Sequence, residues 1–555
     1  MRVLGVEGTA WCASAAVFDA EADAVFIESD PYEPDSGGIH PREAAEHMGG
    51  AIPRVIETAL EHAREEYDDR AADESPVDAV AFSRGPGLGP CLRIVATAAR
   101  ALARTLDVPL VGVNHMVAHL EIGRHRAGFD SPVCLNASGA NAHLLGFHDG
   151  RYRVLGETMD TGVGNALDKF TRHVGWSHPG GPKIEEHAAD GEFVELPYVV
   201  KGMDFSFSGI MSAAKAAHDD GVPVEDVCFS LQEHVFAMLT EVAERALSLT
   251  GTDELVLGGG VGQNDRLREM LASMCAERGA DFHAPEPRFL RDNAGMIAVL
   301  GAKMAAAGDT VAIEDSAIDP DFRPDQVPVT WRDDAESVAR VPSAADGEDR
   351  GGDDRAGRDA ADMRGAEATV EVDGDGVVKR RLPKGYRHPE LDETLRRDRT
   401  VAEARLLAAA RQAGVPTPLV RDVDVAEATI AMQFVGDRDL AAALTEDRAR
   451  TVGEHLARLH DAGIVHGDPT TRNVRVGREG SPENGRLFPI DFGLGFSSDH
   501  VEDYAMDLHV FEQSIEGTAS EPERLVAAVE DGYRAVGDPA VLDRLRGVEG
   551  RGRYQ

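Results

Sequence analysis

The sequence has 555 residues, and its 98 Asp and Glu against 57 Lys and Arg give a formal net charge of −41. At about 150 residues per domain, this length predicts three to four compact units, and a hydrophobic content of 42% excludes an intrinsically disordered chain. The acid excess first argues against a nucleic-acid partner, which normally needs a basic face. However, only seven residues are Lys. Acid-rich, Lys-poor chains are typical of proteins that work in concentrated salt, where the Debye length at about 1 M is about 3 Å. The net charge therefore indicates a salty solvent more than it indicates which ligand the protein binds.

The five cysteines, at positions 12, 91, 134, 228 and 275, are scattered and form no C-x-x-C pair. This pattern argues against a disulfide framework and a cysteine-based zinc site, and it favours a reducing compartment. No apolar run approaches the 18 or more residues of a membrane span, and the amino terminus lacks a secretory pattern. We therefore expect a cytoplasmic protein without a membrane partner.

The first elements predict an α/β fold. The stretches Val3–Val6 and Ala13–Phe18 have the pattern of a β-hairpin around a short turn. Further strands alternate with Ala-rich helical stretches. The predicted strands are Ala79–Ser83, Leu110–Val113, Val133–Ala137 and Glu254–Leu257, and the predicted helices are Arg93–Leu106 and Leu231–Leu249.

Three of these strands end in glycine clusters, at residues 85–90, 138–141 and 258–262. A strand, a glycine turn and a helix together place backbone N–H groups and the positive end of a helix where a phosphate can bind. One such turn is weak evidence because tight turns need Gly for steric reasons alone, but three in one block favour nucleotide binding. No G-x-x-x-x-G-K-[ST] sequence occurs, which excludes a P-loop protein.

His115 and His119 are separated by one helical turn, so their imidazoles share a helix face and could chelate one metal ion. Alone, such a pair is more often structural. Here Asp292 follows a strand-like segment, and two His plus one carboxylate form a ligand set for iron or zinc with open positions. Position alone does not show that Asp292 reaches the histidines. Met116 stands where metalloproteases have Glu, which argues against a peptidase.

The composition changes between residues 326 and 365, where acids and Arg dominate and almost nothing could form a core. Such a stretch cannot bury enough apolar area to offset the entropy lost on ordering. We interpret it as a flexible acidic linker between a first block, residues 1–325, and a second block, residues 366–555.

The second block carries a reduced protein-kinase pattern. Lys379 ends a strand and could meet the α- and β-phosphates of ATP, and Glu403 on the next helix could pair with it. Asp468 and Asn473 have the spacing of a catalytic loop with Asp468 as the base, and Asp491 begins an Asp-Phe-Gly motif that binds Mg²⁺. The order of these residues predicts a small α+β protein-kinase-like domain with ATP and Mg²⁺, although its glycine-rich loop is short and no Ala-Pro-Glu motif follows.

A series of motifs in the first block resembles, in order, the archaeal and eukaryotic catalytic subunit of the KEOPS complex. The motifs are Glu7–Ala10, Gly38–Ala44, Gly85–Arg93, Asn114–His119, Asn165–Phe170, Gly180–Glu185 and Gly258–Asn264. The resemblance implies a two-lobed actin-like ATPase (ASKHA) fold around a nucleotide cleft. It also implies transfer of a threonylcarbamoyl group from threonylcarbamoyl-AMP to N6 of adenosine at position 37 of tRNAs that read codons beginning with A, with release of AMP.

The same resemblance implies roles for individual residues. His115, His119 and Asp292 would hold one Fe²⁺ or Zn²⁺. The residues that would line the threonylcarbamoyl-adenylate are Asn136, Ala137, Ser138, Gly139, Ala140, Asp168, Gly181, Glu185 and Asn264. Asn136 departs from the family's usual Tyr, a metal-site phenol, and its amide oxygen is a weaker ligand. Ala140 adds a methyl group where the backbone should approach the adenylate, so we expect looser nucleotide binding than the family norm.

Residues 379–392 and 414–418 resemble the small atypical Ser/Thr kinase of the same complex, which is often fused to the catalytic subunit in archaea. This resemblance implies a regulatory ATPase and kinase, with two further small KEOPS subunits as partners beside tRNA. The first interpretation is therefore a bifunctional tRNA-modification enzyme, and a signalling Ser/Thr kinase with a nucleotide-binding regulatory module is the alternative. Between Gly376 and Arg411 ten Lys and Arg face five acids. This basic stretch could bind tRNA phosphates, or its cations could serve the ATP pocket and solvated helix faces.

Overall fold

The computed structural model describes residues 1–32, 39–66, 74–139, 141–148, 150–332, 363–364, 368–436, 438–478, 483–519 and 521–549. Residues 333–362 of the predicted linker, and Ala140, lie outside the described residues. Across the described ranges, no helix is long and apolar enough to cross a membrane. The five cysteines all lie in described ranges, where they are free and buried.

The first lobe is built on a five-stranded sheet. Its elements are β1 (Arg2–Glu7), β2 (Cys12–Asp19), β3 (Ala24–Pro31), α1 (Pro41–Glu66), β4 (Ala79–Gly85), α2 (Gly89–Leu106), β5 (Leu110–Asn114) and α3 (His115–Ala127). The strand order is β3-β2-β1-β4-β5. Strands β1 to β3 form an antiparallel meander, and β4 and β5 run parallel to β1. The hairpin predicted at the amino terminus is confirmed as β1 and β2.

The second lobe repeats this plan. Its elements are β6 (Val133–Ala137), β7 (Ala142–His148), β8 (Arg151–Glu157), α4 (Val163–His173), α5 (Gly181–Ala188), β9 (Val200–Lys201), β10 (Asp204–Phe205), α6 (Ser208–Asp219), α7 (Val224–Thr250), β11 (Glu254–Gly258), α8 (Asp265–Arg278), β12 (Asp281–His283), α9 (Pro287–Leu290) and α10 (Ala294–Ala306). The sheet order is β12-β11-β6-β7-β8. The meander β6 to β8 is again antiparallel, and β11 and β12 again run parallel to its first strand. This duplicated order is that of the actin-like fold.

The central strands are buried on both faces because helices cover each side of the sheets. All six residues of β1 are buried, with α1 and α2 packed on one face and α10 on the other. Gly5 in β1 is required by this packing, since a Cβ there would collide with the backbone of Ala294 and Ala298 in α10. The lobes are therefore held by apolar layers, and the loops at the ends of the strands remain available for ligands.

Helix α7 contains the predicted helix Leu231–Leu249 in its carboxy-terminal part. Most of its 27 residues are buried, including the charged side chains of Glu233, Glu241, Glu244 and Arg245. A surface helix of a globular domain normally exposes one polar face. The second block instead covers the part of α7 that carries Glu241 and Glu244.

The first block continues beyond the predicted boundary at residue 325. Val327 is buried in a core cluster that joins residues of both lobes, and Trp331 packs against the same cluster. The guanidinium of Arg332 lies 3.8 Å from the centroid of the Phe147 ring and 3.6 Å from the buried carboxylate of Glu121. Apolar burial and this ion pair therefore tie the chain to the first block as far as residue 332.

The second block has two parts. Its elements are β13 (Met363–Arg364), β14 (Ala368–Asp373), β15 (Gly376–Arg381), α11 (Pro389–Gln412), β16 (Val420–Asp424), β17 (Thr429–Gln433), β18 (Arg438–Asp439), α12 (Glu446–Asp461), β19 (Ile464–Val465), β20 (Val474–Val476), β21 (Leu487–Pro489), β22 (Phe496–Ser497), α13 (Val501–Thr518), α14 (Pro522–Val536) and α15 (Pro539–Glu549). An antiparallel sheet of order β13-β14-β15-β17-β16 packs against α11. The other part holds α12 to α15 and two small sheets, β18-β20-β21 and β19-β22. A cavity of about 570 Å³ lies along the boundary between the parts.

Candidate active sites

The two histidines of α3 and one carboxylate from the loop before α10 meet in a cluster. His115 Nε2 and His119 Nε2 each lie 3.3 Å from Asp292 Oδ1. The spacing of one helical turn predicts that the imidazoles share a face, and the structure confirms it. The Asn114 side chain begins α3 by accepting hydrogen bonds from the N–H groups of Met116 and Val117. These three ligand atoms lie close enough together to hold one metal ion.

Two residues, one at the end of β1 and one in the turn before β2, hold this cluster in place. Glu7 is fully buried, and its Oε2 accepts a hydrogen bond from His115 Nδ1 at 3.1 Å and another from the Ser83 hydroxyl. Trp11 Nε1 donates to Asp292 Oδ2 at 3.1 Å. Nε2 of His115 and Oδ1 of Asp292 are thereby directed at the same place, which is how outer residues usually orient metal ligands. Trp11 is 281 residues from Asp292 in sequence, so no local spacing could reveal the contact.

The charges in the cluster favour a cation. Burial alone would lower the pKa of His115, but the carboxylates of Glu7 and Asp292 outweigh burial and raise that pKa to about 10. Burial lowers the pKa of His119. Against the effect of burial, the two imidazoles hold the pKa of Asp292 well below its usual range. The carboxylates that stabilise a proton on His115 would equally stabilise a divalent metal ion, so the donor set fits such an ion.

Asn136, at the position where the resembled family has Tyr, lies beside this cluster. Its Nδ2 donates to Nε2 of His143, the opposite residue on β7, at 3.5 Å, while its Oδ1 is buried without a hydrogen-bond partner among the described residues. Burial and the imidazoles of His119 and His115 lower the pKa of His143 to about 3, so this ring is neutral. A Cβ placed on Gly258 would lie 3.3 Å from Asn136 Oδ1 and 3.6 Å from His119 Cβ. The end of β6, the end of β11 and the histidine cluster are therefore neighbours.

The glycine loops of the second lobe meet around this point. Ala137 ends β6, and the carbonyl groups of Ser138 and Gly139 accept hydrogen bonds from the N–H groups of Gly164 and Asn165 at the start of α4, at 3.2 and 2.9 Å. Among the described residues, a Cβ placed on Gly139, or on Gly181 at the start of α5, would meet no atom within 4 Å apart from those of its chain neighbours. Both positions thus border open space that a ligand could occupy, whereas Ala140 lies outside the described residues.

The polar residues predicted to bind the adenylate already make protein contacts. Asp168 accepts from the N–H of Gly180 at 2.7 Å and contacts His178 Nδ1 at 3.0 Å. Glu185 accepts from the N–H of Asp265 at 2.9 Å. The side chain of Asn264 begins α8 by accepting from the N–H of Leu267 at 3.2 Å. In this structure these three side chains fix the loops that surround the open space.

In the second block, the residues predicted to bind ATP converge on the cavity of about 570 Å³. Lys379 Nζ donates to both carboxylate oxygens of Glu403 at 3.0 Å and lies 2.7 Å from Asp491 Oδ1. Arg381 adds a second buried cation that contacts Glu403. β15 and α11 therefore hold a lysine and a glutamate as an ion pair beside the loop of Asp491.

The residues predicted to form the catalytic loop line the same cavity. Asn473 Nδ2 donates to Asp468 Oδ2 at 3.0 Å. Asp507 of α13, which the sequence analysis does not single out, accepts from the N–H groups of His466 and Gly467 at 2.7 and 2.8 Å. Gly467 has a positive φ of 83°, and a side chain there would collide with the carbonyl of Leu494. A glycine is therefore required where most protein kinases have Arg.

The two blocks contact each other through α7. Glu241 accepts hydrogen bonds from Arg387 at 2.6 Å and from Arg399 at 3.0 and 3.1 Å. Glu244 accepts from Lys384 at 2.5 Å. These cations belong to the basic stretch between residues 376 and 411. They serve the interface between the blocks, so this part of the stretch does not present free charge to tRNA phosphates.

Comparison with known proteins identifies the chain. Residues 23–299 match the family model of tRNA N6-adenosine threonylcarbamoyltransferase. A relative from Halobacterium salinarum is 70% identical over 558 residues, which cover 100% of this chain and 99% of the relative. A Haloarcula marismortui relative is 66% identical over the full length of both chains. A Methanospirillum hungatei relative is 49% identical over 100% of this chain and 99% of its own. Each is named "Probable bifunctional tRNA threonylcarbamoyladenosine biosynthesis protein".

The chain belongs to the family of bifunctional tRNA threonylcarbamoyladenosine biosynthesis proteins. Full-length coverage of these relatives confirms the predicted fusion of two blocks. The first block, here called the transferase module, is a tRNA threonylcarbamoyltransferase domain with the actin-like fold. The main interpretation of the sequence is therefore supported over the alternative of a signalling kinase.

Proposed function

We propose that the transferase module moves the threonylcarbamoyl group of threonylcarbamoyl-AMP to N6 of adenosine 37 in tRNAs that read codons beginning with A. In this reaction N6 attacks the carbamoyl carbonyl carbon, the bond from that carbon to the phosphate oxygen breaks, N6 loses a proton, and AMP leaves. The observation that carries the proposal is the position of the His115, His119 and Asp292 cluster next to the loops that follow β6 and β11. Substrate carbonyl and phosphate could bind there side by side.

The residues of the module would divide the work. A divalent metal ion held by His115, His119 and Asp292, either Fe²⁺ or Zn²⁺, would polarise the carbamoyl carbonyl as a Lewis acid. Backbone groups from Asn136 to Gly139 would line the adenylate, next to the open space at Gly139 and Gly181. Asp168, Glu185 and Asn264 would bind the nucleotide together with the loops that they hold in place. Asn136 is the weakest of the proposed metal ligands.

The transfer can be tested with the purified full-length chain. The chain is incubated with threonylcarbamoyl-AMP labelled in its threonyl group and with an unmodified tRNA that carries A37. We expect label in this tRNA and no label in the same tRNA with G37. Equal labelling of both tRNAs, or none of either, would contradict the proposal.

We also propose that the second block, here called the kinase-like module, binds ATP with Mg²⁺ and acts as a regulatory ATPase or Ser/Thr kinase. The supporting observation is the convergence of Lys379, Glu403, Asp468, Asn473 and Asp491 on one cavity. Asp468 would be the base, Asn473 and Asp491 would hold Mg²⁺, and Lys379 would contact the α- and β-phosphates. Asp491→Asn is expected to abolish phosphate release from ATP; a normal rate in this variant would exclude the assignment.

The arrangement of the chain and its partners completes the proposal. We infer that residues 333–362, within the predicted range 326–365, form the acidic linker between the modules, and that two further small KEOPS subunits bind this chain together with tRNA. Purified chain with and without these subunits is expected to differ in its rate of tRNA modification. An identical rate would count against the partners.

A further inference from the structure

The cavity of the kinase-like module is not formed by that module alone. Lys379, Asp468 and Asp491 line it from one side. The other side is closed by residues of the transferase module, mainly from α7 and the chain that follows it. These include Met203, Arg245, Ser248, Asp253 and Arg278. The proposed ATP site is therefore composite, and part of its wall exists only when the modules are docked.

The side chain of Arg245, on α7 of the transferase module, reaches the catalytic loop. Its Nη1 lies 3.6 Å from Asp468 Oδ2, and its side chain is only 8% exposed. Two contacts hold its guanidinium, a hydrogen bond from Nη1 to the carbonyl of Gly202 at 3.1 Å and one from Nη2 to Glu241 at 2.7 Å. The guanidinium is thus fixed in a buried position beside the proposed base.

The backbone of the transferase module docks at the same point. The N–H of Gly202, in the turn between β9 and β10, donates to the carbonyl of Gly467 at 2.7 Å. Gly467 directly precedes Asp468. The contact of Gly202 with the catalytic loop therefore fixes the position of Arg245 relative to Asp468.

Phosphoryl transfer requires positive charge around the γ-phosphate in the transition state. Lys379 pairs with Glu403 and Asp491 and suits the α- and β-phosphates. Near Asp468, where the γ-phosphate would lie, the geometry provides a guanidinium from a different module. An arginine that enters a nucleotide site from a partner protein or domain is a known means of stabilising this charge.

We propose that Arg245 is a catalytic residue of the ATP site in the kinase-like module and that the transferase module supplies it. This inference rests on the ATP hydrolysis proposed above. Arg245 donates hydrogen bonds to γ-phosphate oxygens of bound ATP. The oxygen of a water molecule bonds to the γ-phosphorus, the bond from that phosphorus to the β,γ-bridging oxygen breaks, and a water proton passes to Asp468. ADP and inorganic phosphate are the products, and hydrolysis depends on docking of the modules.

The test measures phosphate release from ATP by the full-length chain and by four variants, which are Arg245→Ala, Arg245→Lys, Lys201→Ala and Asp491→Asn. Arg245→Ala is expected to lower kcat about 10³-fold or more, with little change in KM. Arg245→Lys keeps the charge but loses the planar fork, so its kcat is expected to fall by about tenfold. Lys201→Ala is the matched control, because it removes an ion pair of 2.7 Å with Asp503 across the same interface and does not line the ATP cavity. Its kcat should equal that of the unaltered chain.

The outcomes separate this inference from the function on which it rests. If the unaltered chain releases no phosphate, or if Asp491→Asn releases it normally, the proposed ATP site itself is wrong. If the unaltered chain is active and Arg245→Ala has an equal or higher kcat, the ATP site stands and Arg245 is not catalytic. A higher kcat would show that Arg245 obstructs Asp468. If Arg245→Ala does not fold, the role of Arg245 is decided by the binding of ADP with aluminium fluoride, which mimics the transition state of phosphoryl transfer. The unaltered chain should bind this mimic more tightly than ADP alone, and Arg245→Lys should lose the difference.

Discussion

Glu241→Gln tests how the two modules are held together. The Glu241 side chain is 1% exposed and accepts hydrogen bonds from Arg245, Arg387 and Arg399 at 2.6–3.1 Å. Their side chains are 8%, 3% and 8% exposed, so water cannot replace the lost carboxylate. Removing one partner of a buried ion pair costs about 3–5 kcal/mol because a buried charge is left uncompensated. Since about 1.4 kcal/mol corresponds to a factor of ten, the equilibrium constant for docking of the two modules should fall by at least about 10²-fold.

The assay combines calorimetry with small-angle X-ray scattering. We expect Glu241→Gln to divide thermal unfolding into two transitions and to increase the radius of gyration at temperatures below both. Glu454→Gln is the control, because its carboxylate forms a half-exposed pair with Arg458 at 3.3 Å, and such a pair contributes about 0.3–0.5 kcal/mol. If Glu241→Gln has the melting profile and radius of the unaltered chain, the charge network does not hold the interface.

Two further predictions concern single polar contacts. Trp11→Phe keeps an aromatic ring but removes the hydrogen bond to Asp292. Titration of the metal-free protein with Zn²⁺ should therefore show an affinity about 10- to 100-fold weaker, whereas the control Trp331→Phe should bind Zn²⁺ normally. Equal affinity of both variants would contradict the role given to Trp11. Burial raises the pKa of Asp204 from 3.8 to about 8, so the folded state retains a proton that the unfolded chain releases, and stability should fall as pH rises from about 4 to about 8. Asp204→Asn should flatten this fall in Tm, and an unchanged pH profile would refute it.

Local pattern was sufficient for much of the fold and for the centre of each site. The hairpin pattern of β1 and β2, and the spacing of His115 and His119, depend on backbone geometry that operates within a few residues. The order of Lys379, Glu403 and Asp468 likewise carries the spacing of a known motif. In the structure β1 and β2 form the predicted hairpin, His115 and His119 lie in one cluster with Asp292, and Lys379 pairs with Glu403.

Contacts between distant segments could not be predicted in this way. Trp11 and Asp292 are brought together by the packing of β1 and β2 against α10, and Asp507 meets the catalytic loop through α13. The basic stretch after residue 376 looks equally suited to phosphates and to carboxylates in the sequence. The structure shows that this stretch contacts carboxylates of α7, because Lys384 donates to Glu244 and Arg387 donates to Glu241.

The central claim is that the His115, His119 and Asp292 cluster is the site of threonylcarbamoyl transfer to tRNA. The most direct measurement is mass spectrometry of nucleosides from tRNA digested after incubation with threonylcarbamoyl-AMP and either the unaltered chain or the His115→Ala/His119→Ala variant. We predict N6-threonylcarbamoyladenosine with the unaltered chain and none above background with the folded variant. Formation of the modified nucleoside at the normal rate by the variant would contradict the account.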